Sequence, residues 1–124
     1  MKVLVIDDSL INLTIARHTL EHAGYDVIEA NSGLEGVKIA KGVLPSLILL
    51  DIQMPNVDGI ETLKMIRSIP SLNCVPVVAL TASSMSGDKE RLLDEGFDDY
   101  IPKPLNVKTV VETIRYLSER KGIV

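Results

Sequence analysis

The chain alternates five times between a short apolar segment rich in branched residues and a longer segment with helical periodicity. The short segments have strand length, and apolar side chains at nearly every position are typical of parallel strands buried on both faces. Strands that alternate with helices in this way pack as one parallel sheet covered by helices on both sides. We therefore predict an α/β, doubly wound fold.

The pattern predicts the bounds of ten elements. The predicted strands are Val3–Ile6, Tyr25–Ala30, Ser46–Leu50, Val75–Leu80 and Asp99–Ile101. The predicted helices are Leu10–Ala23, Leu34–Lys41, Gly59–Ser68, Met85–Glu95 and Val107–Glu119. Glycine follows the first and fourth of these helices, where it favours termination.

Composition and charge exclude several classes of protein. The 124 residues suit a single domain, and a hydrophobic content of 46% excludes intrinsic disorder. A net charge of −4 argues against direct binding to nucleic acid or to an anionic membrane. The single cysteine, Cys74, excludes an internal disulfide, and no apolar run approaches the roughly 18 residues of a membrane span. We expect a cytoplasmic protein with one domain over residues 1–124 and no output domain.

The residues that follow four of the five predicted strands include groups suited to chemistry. These residues are Asp7 and Asp8 after the first strand, Asp51 after the third, Thr81 and Ala82 after the fourth, and Lys103 and Pro104 after the fifth; the second strand is followed by uncharged residues. Sites in open α/β sheets lie beyond the carboxyl ends of the strands. We therefore expect three carboxylates, a hydroxyl and an amine to project from one edge of the sheet.

This set of groups suits phosphoryl chemistry. Clustered carboxylates repel one another unless a cation is present, and a few oxygen ligands with open water positions suit Mg²⁺ better than Ca²⁺. A metal beside a carboxylate favours phosphoryl transfer, in which the carboxylate itself is able to act as the nucleophile. Lys103 and the hydroxyl of Thr81 would then contact the phosphoryl oxygens.

At this point the residues show a family resemblance that covers nearly the whole chain. The chain resembles the response regulator receiver family in Val5-Ile6-Asp7-Asp8, Leu50-Asp51-Ile52-Gln53-Met54-Pro55, Asp58-Gly59, Leu80-Thr81-Ala82 and Lys103-Pro104. The segments around Asp51 and Lys103 are also similar to those of DivK-like regulators and of the receivers of hybrid kinases. The resemblance implies a CheY-like, flavodoxin-like (βα)5 fold with strand order 2-1-3-4-5. It also implies a signalling switch of two-component systems rather than an enzyme that turns over a substrate.

The resemblance implies roles for the acidic residues. Asp51 would be the phosphoacceptor, and Asp8 and Asp51 would bind Mg²⁺ directly, with Mn²⁺ as a possible substitute. Asp7 would assist through water, and Gln53 would offer its backbone carbonyl.

The resemblance also implies the residues that sense phosphorylation. Lys103, Thr81 and Ala82 would hold the phosphoryl group. Thr81 would move toward it, and Tyr100 would turn inward as Thr81 moves.

The resemblance implies a histidine kinase or a histidine phosphotransfer protein as the phosphodonor. The first predicted helix has a second apolar stripe, with Ile11 and Ile15 opposite the face expected to pack on the sheet. We expect Ile11, Ile15 and Pro104 to contact the donor. The domain would then act on a downstream protein or pass the phosphoryl group on in a relay, as a monomer or a weak phosphorylation-dependent dimer.

Two other functions fit the same fold class. A metal-dependent phosphatase of the haloacid dehalogenase type forms an aspartyl intermediate, but its acids are spaced Asp-x-Asp, whereas Asp7 and Asp8 are adjacent. A flavodoxin-type FMN carrier must hold a phosphate in its first loop, where these two carboxylates would repel it.

Overall fold

The computed structural model describes residues 1–54, 58–82, 88–103 and 105–121. The five strands are β1 (Lys2–Ile6), β2 (Asp26–Ala30), β3 (Leu47–Asp51), β4 (Val77–Thr81) and β5 (Asp99–Pro102). The five helices are α1 (Leu10–His22), α2 (Gly33–Val43), α3 (Gly59–Arg67), α4 (Asp88–Glu95) and α5 (Val107–Lys121). The predicted start of the fourth helix, Met85, lies outside the described residues.

All five strands are parallel and lie in the order β2-β1-β3-β4-β5, which confirms the predicted fold and strand order. The chain adds β2 on one side of β1 and then crosses to add β3 on the other side. The strand order therefore reverses at β1, and Ile6 pairs with Leu50 so that β1 and β3 end side by side. This switch point is where a doubly wound sheet opens a crevice.

Alternating strand residues supply two apolar clusters, one on each face of the sheet. One cluster packs α1 and α5 against residues such as Val3, Val5, Leu47 and Leu49. The other packs α2, α3 and α4 against residues such as Leu4, Ile6, Ile48 and Leu50. Residues 3–6 of β1 and 47–50 of β3 thus face alternately to the two sides of the sheet and are all buried, which explains why these stretches are apolar at every position. Among the described residues, no helix is both long and apolar enough to cross a bilayer.

Gly59, at the start of α3, permits a close approach of this helix to the end of β3. A Cβ atom at this position would lie 2.4 Å from the Cα of Ile52 and 2.7 Å from the carbonyl oxygen of Asp51. Both atoms belong to backbone, which has no rotamer to change. Glycine is therefore required here so that α3 packs beside the loop that follows Asp51.

We predict that Gly59→Ala lowers the free energy of unfolding by about 2 kcal/mol, because the added methyl group displaces the backbone next to Asp51. Gly42→Ala is the matched control, since a Cβ there meets no atom within 4 Å. Alanine favours the helix, so this change should raise stability by about 0.5–1 kcal/mol. Urea denaturation measures both, and equal stability of the two variants would contradict the steric argument.

Candidate functional site

Three carboxylates meet at the edge of the sheet where β1 and β3 end. Asp7, Asp8 and Asp51 each place one carboxylate oxygen within 4.8 Å of the others. Within the described part of the chain, this is the one group of three or more potential metal-ligating side chains. Asp7 and Asp51 are buried and Asp8 is exposed. The cluster therefore opens to solvent on the side of Asp8.

The turn between β1 and α1 positions Asp7. Its backbone N–H donates to the carbonyl of Ala30 at 3.1 Å and extends the pairing of β1 with β2 by one residue. Its Oδ1 atom accepts a hydrogen bond from the backbone N–H of Ser9 at 3.0 Å. Ser9 is also the N-cap of α1. The start of the helix thus holds the Asp7 carboxylate.

Asp51 is the last residue of β3, and backbone contacts on both sides hold it. Its Oδ1 atom accepts a hydrogen bond from the N–H of Gln53 at 3.0 Å. The N–H of Ile52 donates to the carbonyl of Leu80 at 3.2 Å, and the N–H of Gly59 donates to the carbonyl of Ile52 at 3.3 Å. Ile52, the residue after Asp51, therefore cannot shift without breaking backbone hydrogen bonds.

Lys103 brings a positive charge to the two buried acids. Its Nζ atom lies 3.1 Å from Oδ2 of Asp7 and 3.3 Å from Oδ1 of Asp51. Its backbone N–H donates to the carbonyl of Thr81 at 2.8 Å, which ties the residue to the end of β4. One ammonium group thus bridges acids from two different strands.

The pKa of Asp51 is raised above its usual value even though Lys103 lies beside it. Burial raises the pKa of Asp51, and the negative charge of Asp7 raises it further. The N–H of Gln53 and the ammonium of Lys103 act in the opposite direction but do not cancel the effect of burial. The ionised form of Asp51 is therefore disfavoured in the protein without an added cation.

One buried oxygen of this cluster makes no hydrogen bond to any described residue. Oδ2 of Asp7 is close to Lys103, but the contact does not have the geometry of a hydrogen bond. Buried carboxylate oxygens are normally hydrogen-bonded, so this atom has capacity for a further partner. A hydrated divalent cation among the three acids would supply both positive charge and water donors. The residues present therefore fit Mg²⁺, which prefers oxygen ligands and keeps several waters.

The other residues expected at this edge lie where their strands predict. Thr81 is buried at the end of β4, and Ala82 follows it at the surface. The side chain of Gln53 is exposed to solvent. Tyr100, in β5, is half-buried and packs against the apolar cluster under α2, α3 and α4. Its ring centroid lies 6.0 Å from Nζ of Lys89.

Helix α1 has the two apolar faces that its sequence predicts. Leu13, Ala16 and Leu20 are buried against the sheet. Ile11 is 73% exposed and Ile15 is 38% exposed. The third residue expected to contact a donor, Pro104, lies outside the described residues.

A small cavity lies beside the acidic cluster, between α1 and the segment that follows β5. Its volume is about 30 Å³, and its lining is formed by Asp7, Asn12, Ile15, Leu80, Lys103 and Leu105. Asn12 was not identified from the sequence. The sequence places Asn12 in the first turn of the helix that follows Asp7, and this was the only indication that it lies near the site. Helical periodicity alone does not show which residues of other elements Asn12 contacts.

Comparison with known proteins gives a consistent result. The sequence model of the response regulator receiver domain matches residues 3–115. The polar-differentiation response regulator DivK of Brucella ovis is 40% identical over 118 residues, covering 94% of this chain and 96% of the relative.

Solved structures with the same fold also match this chain over most of its length. The chemotaxis protein CheY4 of Vibrio cholerae is 30% identical with a TM-score of 0.86, covering 93% of this chain and 96% of that chain. The signal receiver domain of a histidine kinase from Syntrophus aciditrophicus is 30% identical with a TM-score of 0.84, covering 98% and 91% of the two chains.

We predict that Asp51→Asn stabilises the protein near pH 7 in buffer without divalent cations. Because the pKa of Asp51 is raised, its ionisation weakens the folded state as the pH rises through that pKa. The uncharged amide of asparagine at position 51 avoids this loss of folding free energy, and Lys103 still has Asp7 as an ion-pair partner. The expected gain is about 1 kcal/mol, a rise in Tm of about 3–5 °C that disappears toward about pH 4.

Two comparisons control this thermal unfolding experiment. Asp26→Asn, at an exposed carboxylate, should leave the Tm within about 1 °C, as is usual for surface substitutions. Millimolar Mg²⁺ should raise the Tm of the wild type more than that of Asp51→Asn, because binding to the folded state stabilises it. A lower Tm for Asp51→Asn at pH 7 without Mg²⁺ would contradict the electrostatic account.

Proposed function

The chain belongs to the response regulator receiver domain family of two-component signal transduction, and we propose that it accepts a phosphoryl group on Asp51 in a Mg²⁺-dependent reaction. The observation that carries the proposal is the pairing of Asp51 with Lys103 at 3.3 Å inside a cluster of three carboxylates. A buried nucleophile, a neighbouring cation and acidic ligands are the groups that phosphoryl transfer requires.

In the proposed reaction an oxygen of the Asp51 carboxylate forms a bond to phosphorus. The bond between phosphorus and a histidine nitrogen of the donor breaks, and its electron pair stays on that nitrogen. The histidine kinase or histidine phosphotransfer protein returns to its unphosphorylated form. Lys103 then neutralises one phosphoryl oxygen, while Thr81 and the backbone at Ala82 interact with others.

The acidic residues would hold the metal. Asp8 and Asp51 would bind Mg²⁺ directly, Asp7 would bind through water, and Gln53 would contribute its backbone carbonyl; Mn²⁺ would be able to replace Mg²⁺. The bound cation would neutralise negative charge on the transferring oxygens. Oδ2 of Asp7, which accepts no hydrogen bond from a described residue, supports this assignment, because a water bound to the cation would donate to it.

We propose that phosphorylation changes the affinity of the domain for a partner protein, or loads it for a relay, rather than turning over a substrate. Thr81 and Tyr100 lie on the adjacent strands β4 and β5, and the ring of Tyr100 is half-buried. In the proposed switch, Thr81 moves toward the phosphorylated Asp51 and the ring of Tyr100 turns inward. Such a change would alter the surface formed by α4 and β5. The acids after β1 also oppose the FMN-carrier alternative, because they occupy the loop that would hold the phosphate.

We predict that incubation with acetyl phosphate and Mg²⁺ adds one phosphoryl group to the wild type, measured by intact mass. Asp51→Asn should remain unmodified, because the nucleophilic oxygen is lost. Lys103→Ala should be modified on the order of 10²-fold more slowly, since one group that stabilises the developing charge is removed.

The specificity control is again Asp26→Asn, which should be modified at the wild-type rate. Omission of Mg²⁺ should abolish the gain in mass. Modification of Asp51→Asn at the wild-type rate would contradict the assignment of the acceptor. A wild type that neither acetyl phosphate nor a phosphohistidine protein modifies would contradict the proposed function.

We also predict that Ile11→Ala slows transfer from a phosphorylated histidine phosphotransfer protein by about five- to tenfold, because it truncates an exposed apolar anchor of α1. Its rate with acetyl phosphate should stay within about twofold of wild type, since this small donor needs no docking surface. Leu34→Ala provides a control, because Leu34 is 60% exposed but lies on α2, which covers the other face of the sheet. Equal slowing with both donors would place Ile11 in the site rather than in docking.

A further inference from the structure

The small cavity beside Lys103 has an unusual lining for its size. Ile15, Leu80 and Leu105 contribute apolar side chains to the lining, and the other three lining residues, Asp7, Asn12 and Lys103, have side chains that carry polar groups. A volume of about 30 Å³ is enough for one or two water molecules. Buried water is retained where it reaches two to four polar partners. The side chains of Asp7, Asn12 and Lys103 supply that number of candidate partners.

Two of these residues have hydrogen-bonding capacity that no described residue satisfies. Oδ2 of Asp7 is buried and lies 3.1 Å from Nζ of Lys103, but it accepts no hydrogen bond from a described residue. The side-chain amide of Asn12, which is half-buried, makes no hydrogen bond to a described residue. The backbone N–H of Asn12 donates to Oγ of Ser9 at 3.3 Å, and the N–H of Ser9 donates to Asp7. Asn12 and Asp7 are thus anchored to the same residue.

The ammonium group of Lys103 has three N–H donors. Nζ lies 3.1 Å from Asp7 and 3.3 Å from Asp51, and Lys103 also lines the cavity. A water in the cavity would accept from Lys103 and donate to Oδ2 of Asp7, while the Asn12 amide would hold it in place. Among the described residues of the cavity lining, Ile15, Leu80 and Leu105 have apolar side chains that offer the ammonium no hydrogen-bond acceptor.

From this arrangement, and resting on the proposed function, we propose that Asn12 is a positioning residue that orients Lys103 toward the phosphoryl group through water in the cavity. The ligand of this small site is water, and the residue on which it acts is Lys103. Removing the amide should leave the acidic ligands in place but let the ammonium of Lys103 move away from the phosphoryl oxygens.

The test uses Asn12→Leu, which replaces the amide by an apolar group of similar volume. With acetyl phosphate and saturating Mg²⁺, its rate of modification should fall about tenfold, because small errors in placement are costly in transfer reactions. Its affinity for beryllium fluoride, a mimic of the phosphoryl group, should fall by a similar factor. Its affinity for Mg²⁺ should stay within about twofold of wild type, which a general distortion of the site would not allow.

Matched variants isolate the role of the amide. Asn31→Leu makes the same change at the same edge of the sheet, outside the cavity lining, and should behave as wild type. Asn12→Gln retains an amide and should recover most of the lost rate. In a Lys103→Ala background, Asn12→Leu should not lower the rate of modification further, because Asn12 is proposed to affect this rate only through Lys103.

The outcomes separate this inference from the proposed function. A wild-type rate for Asn12→Leu, or a full tenfold loss in the Lys103→Ala background, would overturn the role of Asn12 alone. A parallel loss of Mg²⁺ affinity would also overturn it, because it would show a distorted acid cluster. Failure of the wild type to bind beryllium fluoride or accept a phosphoryl group would overturn the proposed function, and this inference with it.

Discussion

The balance of charge at the carboxyl edge of the sheet is the constraint on which the site depends. Three carboxylates face one ammonium, that of Lys103, so two negative charges remain uncompensated in a region where Asp7 and Asp51 are buried. Interactions between charges are strong at such sites because little water screens them. The arrangement therefore favours a bound cation, and in the proposed function that cation would attract an anionic phosphoryl group. The crowding of charge that helps to raise the pKa of Asp51 is thus the feature on which the proposed chemistry rests.

The fold tolerates this imbalance because its stability comes from elsewhere. Two apolar clusters on opposite faces of the sheet bury the apolar residues of the central strands, and neither includes the acids. The backbone next to the acids is held by hydrogen bonds that do not depend on the charges, such as those from Ile52 to Leu80 and from Lys103 to Thr81. A rigid frame thus holds mutually repelling groups within a few ångströms, as catalytic and switching sites generally require.

Much of the fold could be predicted from the sequence, because local patterns determine it. The strands with apolar residues at every position were identified correctly, and the bounds of β1 and α1 differ by one residue from those predicted. Glycine and serine at helix ends act through neighbouring backbone atoms, so they too are visible in the sequence. Asp51 was expected just beyond β3 and is its last residue, a small difference that arises because Asp51 still pairs with Leu80 of β4.

By itself, the sequence determined the order of strands and helices and the identity of the residues at each strand end. It therefore determined which chemical groups meet at the edge of the sheet. Only the tertiary structure decided how they meet: that one ammonium contacts both Asp7 and Asp51, that Oδ2 of Asp7 lacks a hydrogen bond among the described residues, and that Asn12 and Lys103 line the same cavity. These contacts join residues that are distant in the sequence. They depend on the register of the parallel strands and on the packing of α1, and no local pattern encodes either.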